Sequence, residues 1–258
     1  MKIYEFGNRN NPVLMLLPGT CCLWNDNFGH VIDKLKDKFF VACVSYDGFD
    51  LTEHTEFKSE MDETCKLEEY ILRNYGGKIY AVYGCSLRGS IVGQLIARGR
   101  IKMAHGILGS SDLDQSGKVA ALIKTKMLIS ILYRIIQDKK IKNPILRRKI
   151  QASIKDMGQA GEVLVKMFGI DSGKLIFVTK RSMENQFYSD LITKLPGQIS
   201  AAETKVHIMY ALKMGPKYRE RYMYHFKNLD IIEFNLYHEE LLAVYPDQWV
   251  EQIEKMVL

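Results

Sequence analysis

Short runs in which nearly every position is apolar alternate along this chain with longer stretches whose apolar residues recur every three or four positions. The first kind reads as strand and the second as helix. Pro12 to Leu17, Phe39 to Tyr46, Lys78 to Tyr83, Ala104 to Leu108, Lys205 to Leu212 and Ile231 to Leu236 are the strand runs, and Lys2 to Phe6 reads as an edge strand. Asn25 to Lys38 and Leu87 to Arg98 fit helices. A further helix opens at Ser59, whose hydroxyl can cap the orphan N–H groups of a first turn that also holds Asp62 and Glu63. Its apolar residues Met61, Leu67, Tyr70 and Ile71 run to a stop at Gly76-Gly77. Strands that alternate with helices predict an α/β architecture, a doubly wound and mostly parallel sheet covered on both faces.

The alternation stops after Ser110 and resumes at Lys205. Strand signal is weak in between, while Val119 to Asp138, Ile145 to Met157 and Gly161 to Phe168 carry helical spacing. The pattern predicts a helical cap inserted over residues 116–196, with residues 1–115 and 197–258 forming the core. Such a cap covers a site, excludes water and shapes what can enter. Lys139, Lys140, Lys142, Arg147, Arg148 and Lys149 cluster within it. They read as a solvated helix face, with attraction to an anionic substrate or a membrane surface as the alternative.

The segment Ala81-Val82-Tyr83-Gly84-Cys85-Ser86-Leu87-Arg88-Gly89-Ser90 takes an apolar strand straight into a tight turn with a serine at its apex and a helix behind it. A serine on such a nucleophile elbow has its hydroxyl pushed out of the sheet edge and backbone N–H groups beside it. Gly84 fits the G-x-S-x-G pattern. Arg88 stands where that pattern asks for its last glycine, which arrives one residue late as Gly89.

With Pro18-Gly19-Thr20 after an early strand, Tyr46-Asp47-Gly48-Phe49-Asp50 after the next, Gly84-Cys85-Ser86 at the elbow and His238 near the end, the chain resembles the α/β-hydrolase family over most of its length outside the insertion. The order of Ser86 before His238 is that family's order of nucleophile, acid and histidine. The resemblance implies Ser86 as nucleophile and His238 as the base that takes its proton and returns it to the leaving group. It implies an oxyanion hole from the Leu87 N–H and a second N–H, from Thr20 or Cys21. The place where the family carries its acid reads Tyr210-Ala211-Leu212-Lys213-Met214, with methionine at the acid's position. Some members place the acid one strand earlier, which points to Asp112, ahead of Asp114 and Glu239; a Ser86–His238 dyad is the other option. Arg88 has three readings: a side chain in solvent, an anion clamp beside Ser86, or a bulky group that spoils the elbow. Solvent is the expectation. His30, His54, His105, His207 and His225 read as packed or solvated histidines.

Composition adds bounds. A chain of 258 residues, 47% hydrophobic and 26% charged, suffices for one large core, so one domain with an internal insertion is expected. No apolar stretch marks a signal peptide, and none approaches the roughly 18 residues needed to span a bilayer, which predicts a soluble, cytoplasmic protein with no membrane span. Cys21, Cys22, Cys43, Cys65 and Cys85 are odd in number and mostly beside strands, so reduced thiols are expected; no pair has zinc-ligand spacing, and no metal or other cofactor is called for. A net charge of +6 without a recognised binding motif argues against nucleic acid. The partner expected is a small acyl substrate: a hydrolase that cleaves an ester, thioester or amide through an acyl-enzyme on Ser86. A degraded hydrolase fold that binds a small ligand or a partner under its cap is the alternative. The sequence carries no signal of oligomeric state.

Overall fold

The computed structural model describes residues 1–137, 144–170, 173–201 and 203–258, and the side chains of residues 146, 147 and 150 also fall outside the description. Seven strands form one sheet: β1 (Lys2–Phe6), β2 (Val13–Leu17), β3 (Phe40–Ser45), β4 (Lys78–Cys85), β5 (Lys102–Gly109), β6 (Lys205–Ala211) and β7 (Asp230–Phe234). Their order is β1-β3-β2-β4-β5-β6-β7. β1 is antiparallel to β3, and every other pair is parallel.

Alternate residues of β2 show why the strand runs are apolar throughout. Met15 and Leu17 join one hydrophobic core with Val44, Val82 and Ile91, while Leu14 and Leu16 join a second with Tyr83, Phe28 and Trp249. A central strand covered by helices on both faces must be apolar at both parities. The helix read as Asn25 to Lys38 is two short ones, α1 (Trp24–Phe28) and α2 (Ile32–Leu35). It breaks at Gly29, where a side chain would clash with the Asn25 carbonyl. Helix α3 (Glu60–Asn74) is capped as expected, the Ser59 hydroxyl accepting from the Asp62 N–H.

After β2 the chain winds outward to β3, then crosses back to β4 on the other side of β2. At such a switch point the loops leaving the carboxyl ends of the two strands diverge and open a crevice. Those loops begin at Pro18 and at Ser86. Between β5 and β6 come α5 (Lys118–Ile136), α6 (Pro144–Asp156), α7 (Gln159–Met167), a 3₁₀ turn (Lys174–Phe177) and α8 (Lys180–Ile192). Helix α9 (Lys217–His225) separates β6 from β7, and α10 (Glu240–Val244) and α11 (Pro246–Val257) close the fold. Of the basic cluster, Lys139, Lys140, Lys142 and the Arg147 side chain lie outside the described residues; Arg148 and Lys149 are exposed on α6. All five cysteines are free thiols. Among the described residues no helix is long and apolar enough to cross a membrane.

Candidate active site

β4 ends in the fully buried Cys85, and the chain turns at Ser86 with φ of 56°, in the left-handed region that non-glycine residues adopt only when their surroundings impose it. A 3₁₀ turn, Ser86–Arg88, leads into α4 (Gly89–Arg98). Two glycines make this turn possible. A methyl group at Gly84 would collide with the Arg88 carbonyl, and one at Gly89 would sit 2.6 Å from the Ser111 side chain on the neighbouring strand's loop. The close helix–strand approach thus falls on residue 89, and residue 88 is free to carry a large side chain.

Arg88 does not point to solvent. Its guanidinium is fully buried and forks onto Asp190 of α8, with Nη1 to Oδ1 at 2.7 Å and Nη2 to Oδ2 at 3.0 Å. Glu60 approaches to 3.8 Å, and the rings of Tyr46 and Phe57 lie 5.2 and 5.7 Å away. The Thr20 hydroxyl donates to the same Asp190 oxygen at 2.9 Å. Four residues earlier on α8, Gln186 Oε1 accepts the Cys21 N–H at 2.6 Å. One face of α8 therefore ties together the loop after β2 and the turn after β4. Cys21 is thereby spent as a donor, whereas the Thr20 N–H has no partner among the described residues.

Ser86 Oγ lies 2.7 Å from Nε2 of His238, which follows β7. Burial pushes the imidazole down to about 4, only partly offset by the main chain of Ser110 nearby, so the ring is neutral at pH 7. The structure does not join Asp112 to this ring. Asp112 Oδ1 accepts the N–H of Asp114 at 3.0 Å, within a turn whose Ser110 and Leu113 both have positive φ, and burial raises its carboxyl to about 6. Asp114 pairs with Lys124 and Arg221. Among the described residues no carboxylate is hydrogen-bonded to the imidazole.

Glu239 is the site residue whose position the sequence did not convey. It lies behind the elbow, with Oε1 accepting the Ser86 N–H at 2.5 Å and Oε2 accepting from the Tyr83 hydroxyl at 3.2 Å. Burial raises its carboxyl to about 8, only partly offset by these bonds. Its adjacency to His238 was the available signal. A φ of 57° turns its side chain beneath the serine.

A cavity of about 300 Å³ opens at Ser86 and His238. Val163, Leu164, Met167 and Phe168, from α7 and the residue after it, face Met214 and Tyr237 across it. Lys213, at its edge, stacks over the Tyr237 ring at 4.1 Å. Among the described residues the one carboxylate group with metal-like spacing, Asp47, Asp62 and Glu63, is elsewhere and is already engaged by Lys66, which contacts all three, and by the chain's amino terminus.

A sheet of this order, with a serine elbow after β4 and a histidine after β7, decides the fold. The chain has the α/β-hydrolase fold. It superposes over its full length on an α/β-hydrolase family protein of Desulfitobacterium hafniense, with a TM-score of 0.79 at 19% identity and 100% of both chains covered. A marine microorganism esterase gives 0.70 at 17% identity, covering 100% of this chain and 98% of its own. The enol-lactonase of Burkholderia xenovorans LB400 gives 0.63 at 12%, covering 98% and 95%. No protein-family model matches the sequence, and neither does any curated protein. Within this α/β-hydrolase fold the structure brings Ser86, His238 and Thr20 to one cavity, with Leu87 next to Ser86 in the chain, while Asp112, the acid expected from the sequence, is not joined to the imidazole.

Proposed function

We propose that the protein is a serine hydrolase that cleaves an ester, thioester or amide of a medium-sized apolar acyl group. The observation that carries this reading is the 2.7 Å approach of Ser86 Oγ to a neutral His238 Nε2, on a turn held in the left-handed region. Strain of that kind persists where the fold over-determines it, and it aims a hydroxyl at the cavity.

In the proposed reaction Ser86 Oγ bonds to the acyl carbon while its proton passes to His238 Nε2. The main chain of Ser110 favours the charged ring and so steadies the imidazolium as it forms. The N–H groups of Thr20 and Leu87, the latter at a helix start where N–H groups lack partners, receive the oxyanion. The alcohol, thiol or amine departs with the proton from His238. Water then gives a proton to the same nitrogen, its oxygen bonds to the acyl carbon, and the acid leaves as Ser86 recovers its proton. Residues 116–196 act as a cap, with α7 as the roof over the acyl group.

A second reading, a ligand-binding module on a degraded hydrolase fold, draws on the missing carboxylate at His238. A main-chain dipole is a weaker partner for an imidazolium than a full charge, so a slow enzyme is the expectation between the two extremes. A fluorophosphonate probe separates them: the folded protein should gain the probe's mass on the Ser86 peptide, and Ser86→Ala should not. Folded wild type that stays unlabelled at millimolar probe supports the binding module instead.

A further inference from the structure

Helix α5 has two apolar faces, and only one of them is used. Ala121, Thr125, Ile129, Leu132 and Ile136 are buried, at the three- and four-residue spacing of a single stripe, with α8 as the helix's main packing partner. Val119, Ile123, Met127 and Ile131, each four residues after the last, run along the opposite side, and their exposures are 75, 55, 66 and 60%. At about 100° per residue the centre of this second row lies half a turn from the centre of the buried stripe. Leu122 and Leu128 are also exposed, but they lie beyond the lysines that border the row, beside the buried stripe. A soluble helix that needed only its inner face would carry polar residues here. Scattered exposed apolar side chains are ordinary, whereas a continuous row of this kind marks a contact surface.

The charge of the insertion says what the contact is. Residues 116–196 hold sixteen Lys and Arg against six Asp and Glu, a formal +10, while the rest of the chain holds twenty against twenty-four, a formal −4. On α5 itself Lys126 and Lys124 border the apolar row on its two sides and Arg134 continues it. Lys118, Arg134, Arg148, Lys149 and Lys155 are exposed and form no ion pair among the described residues. A second copy of the chain would bring one net-cationic insertion against another, within reach of a Debye length of about 8 Å. An anionic lipid surface is complementary in both respects: it accepts apolar side chains at the headgroup boundary and attracts the cations around them, whose long stems keep the charges at headgroup level.

We propose that the outer face of α5, with the cations of the surrounding insertion, docks the molecule on an anionic lipid surface. The apolar row enters the headgroup–acyl boundary, and the insertion that roofs the cavity at Ser86 is the part of the molecule that meets the lipid. The inference stands apart from the hydrolase reading, because docking is read without turnover.

The test is vesicle co-sedimentation of the full chain with phosphatidylcholine vesicles, with and without about one third phosphatidylserine. The expected result is binding to the anionic vesicles that falls at least tenfold between low and half-molar salt, with little binding to the neutral ones. Ile123→Gln/Met127→Gln keeps good helix formers at exposed positions. It should leave the melting temperature and any probe labelling of Ser86 unchanged, while weakening vesicle binding at least tenfold. Binding that the double variant retains overturns the role of α5. No binding of wild type to either vesicle, or a wild-type dimer that the double variant dissociates, overturns the lipid assignment.

Discussion

A carboxyl group pressed against a backbone N–H in a fully buried site, as Glu239 is against Ser86, stays protonated well above the range of a free glutamate. The sign of the consequence follows from linkage. In the unfolded chain the group loses its proton near 4.5, in the folded chain near 8, so the folded state binds the extra proton between those values. Stability drawn from it is full below about pH 4.5 and declines as pH rises through about 8. Glu239→Gln keeps an acceptor for the Ser86 N–H and removes the ionisation. Its unfolding free energy should exceed that of wild type by a margin that widens from pH 5 to pH 8, on the order of 3 kcal/mol at pH 7, read as a rising melting-temperature difference. A margin that does not change with pH would mean that Glu239 is already ionised in the folded protein. His238 titrates the other way. Burial lowers it from 6.5 to about 4, so the neutral base persists down to about pH 5. The kcat/KM for a p-nitrophenyl ester should therefore hold from pH 7 to pH 5 and fall through about pH 4. An inflection near 6.5 would show a solvated ring, or one held by a carboxylate. The pairing of Ser86 with His238 could be expected because each sits at a strand's end in the chain order of the family that the sequence resembles. Asp112 misled because the direction of a loop carboxylate depends on the dihedrals of its own turn, which no residue spacing encodes.

Helix α8 is the element the sequence hid. Its buried residues include Met183 and Leu191 but also Ser182, Gln186, Ser189 and Asp190, so the stripe that faces the core is mostly polar and leaves no amphipathic period to read. The same mixture is what the helix is for. Asp190 accepts from Arg88 and Thr20, Gln186 accepts from Cys21, and Ser189 accepts from the Glu60 N–H, so one helix joins the two loops of the crevice to α3. The expectation of an exposed Arg88 failed for the same reason, since its partner lies 102 residues away in an element without a signature. Removing one member of a buried pair leaves an uncompensated charge, a loss of about 3–5 kcal/mol, whereas replacing both by apolar groups can be nearly neutral. Arg88→Met should lower the unfolding free energy obtained from urea titration by that order, and Arg88→Met/Asp190→Leu should recover more than half of it. A double variant no better than the single one would show that Glu60, at 3.8 Å, and not Asp190, is the group that balances the guanidinium.

At the scale of the whole molecule, the parallel sheet was legible from strand spacing alone, because strands buried on both faces are apolar at every position and stand out from amphipathic helices. The cavity was not legible, since it lies between α7 and the loops after β2, β4, β6 and β7 and belongs to no single element. Its roof is α7 and its floor the loops of Ser86, Met214 and Tyr237. At about 30 Å³ for each water-sized group, a volume of about 300 Å³ takes on the order of ten non-hydrogen atoms. That matches an octanoyl group, and the rest of a palmitoyl chain would lie outside the apolar lining. Each methylene moved from water into such an apolar site contributes about 0.8 kcal/mol, close to fourfold in binding if the contact is kept in the transition state. The kcat/KM for p-nitrophenyl esters should therefore climb by at least about tenfold from butyrate to octanoate and fall again at palmitate. Val163→Trp fills the cavity from the roof without touching Ser86 or His238. It should cut octanoate turnover at least tenfold while leaving butyrate within about twofold. A chain-length profile that is flat, or one that Val163→Trp lowers equally for both esters, would mean that the acyl group binds outside the space beneath α7.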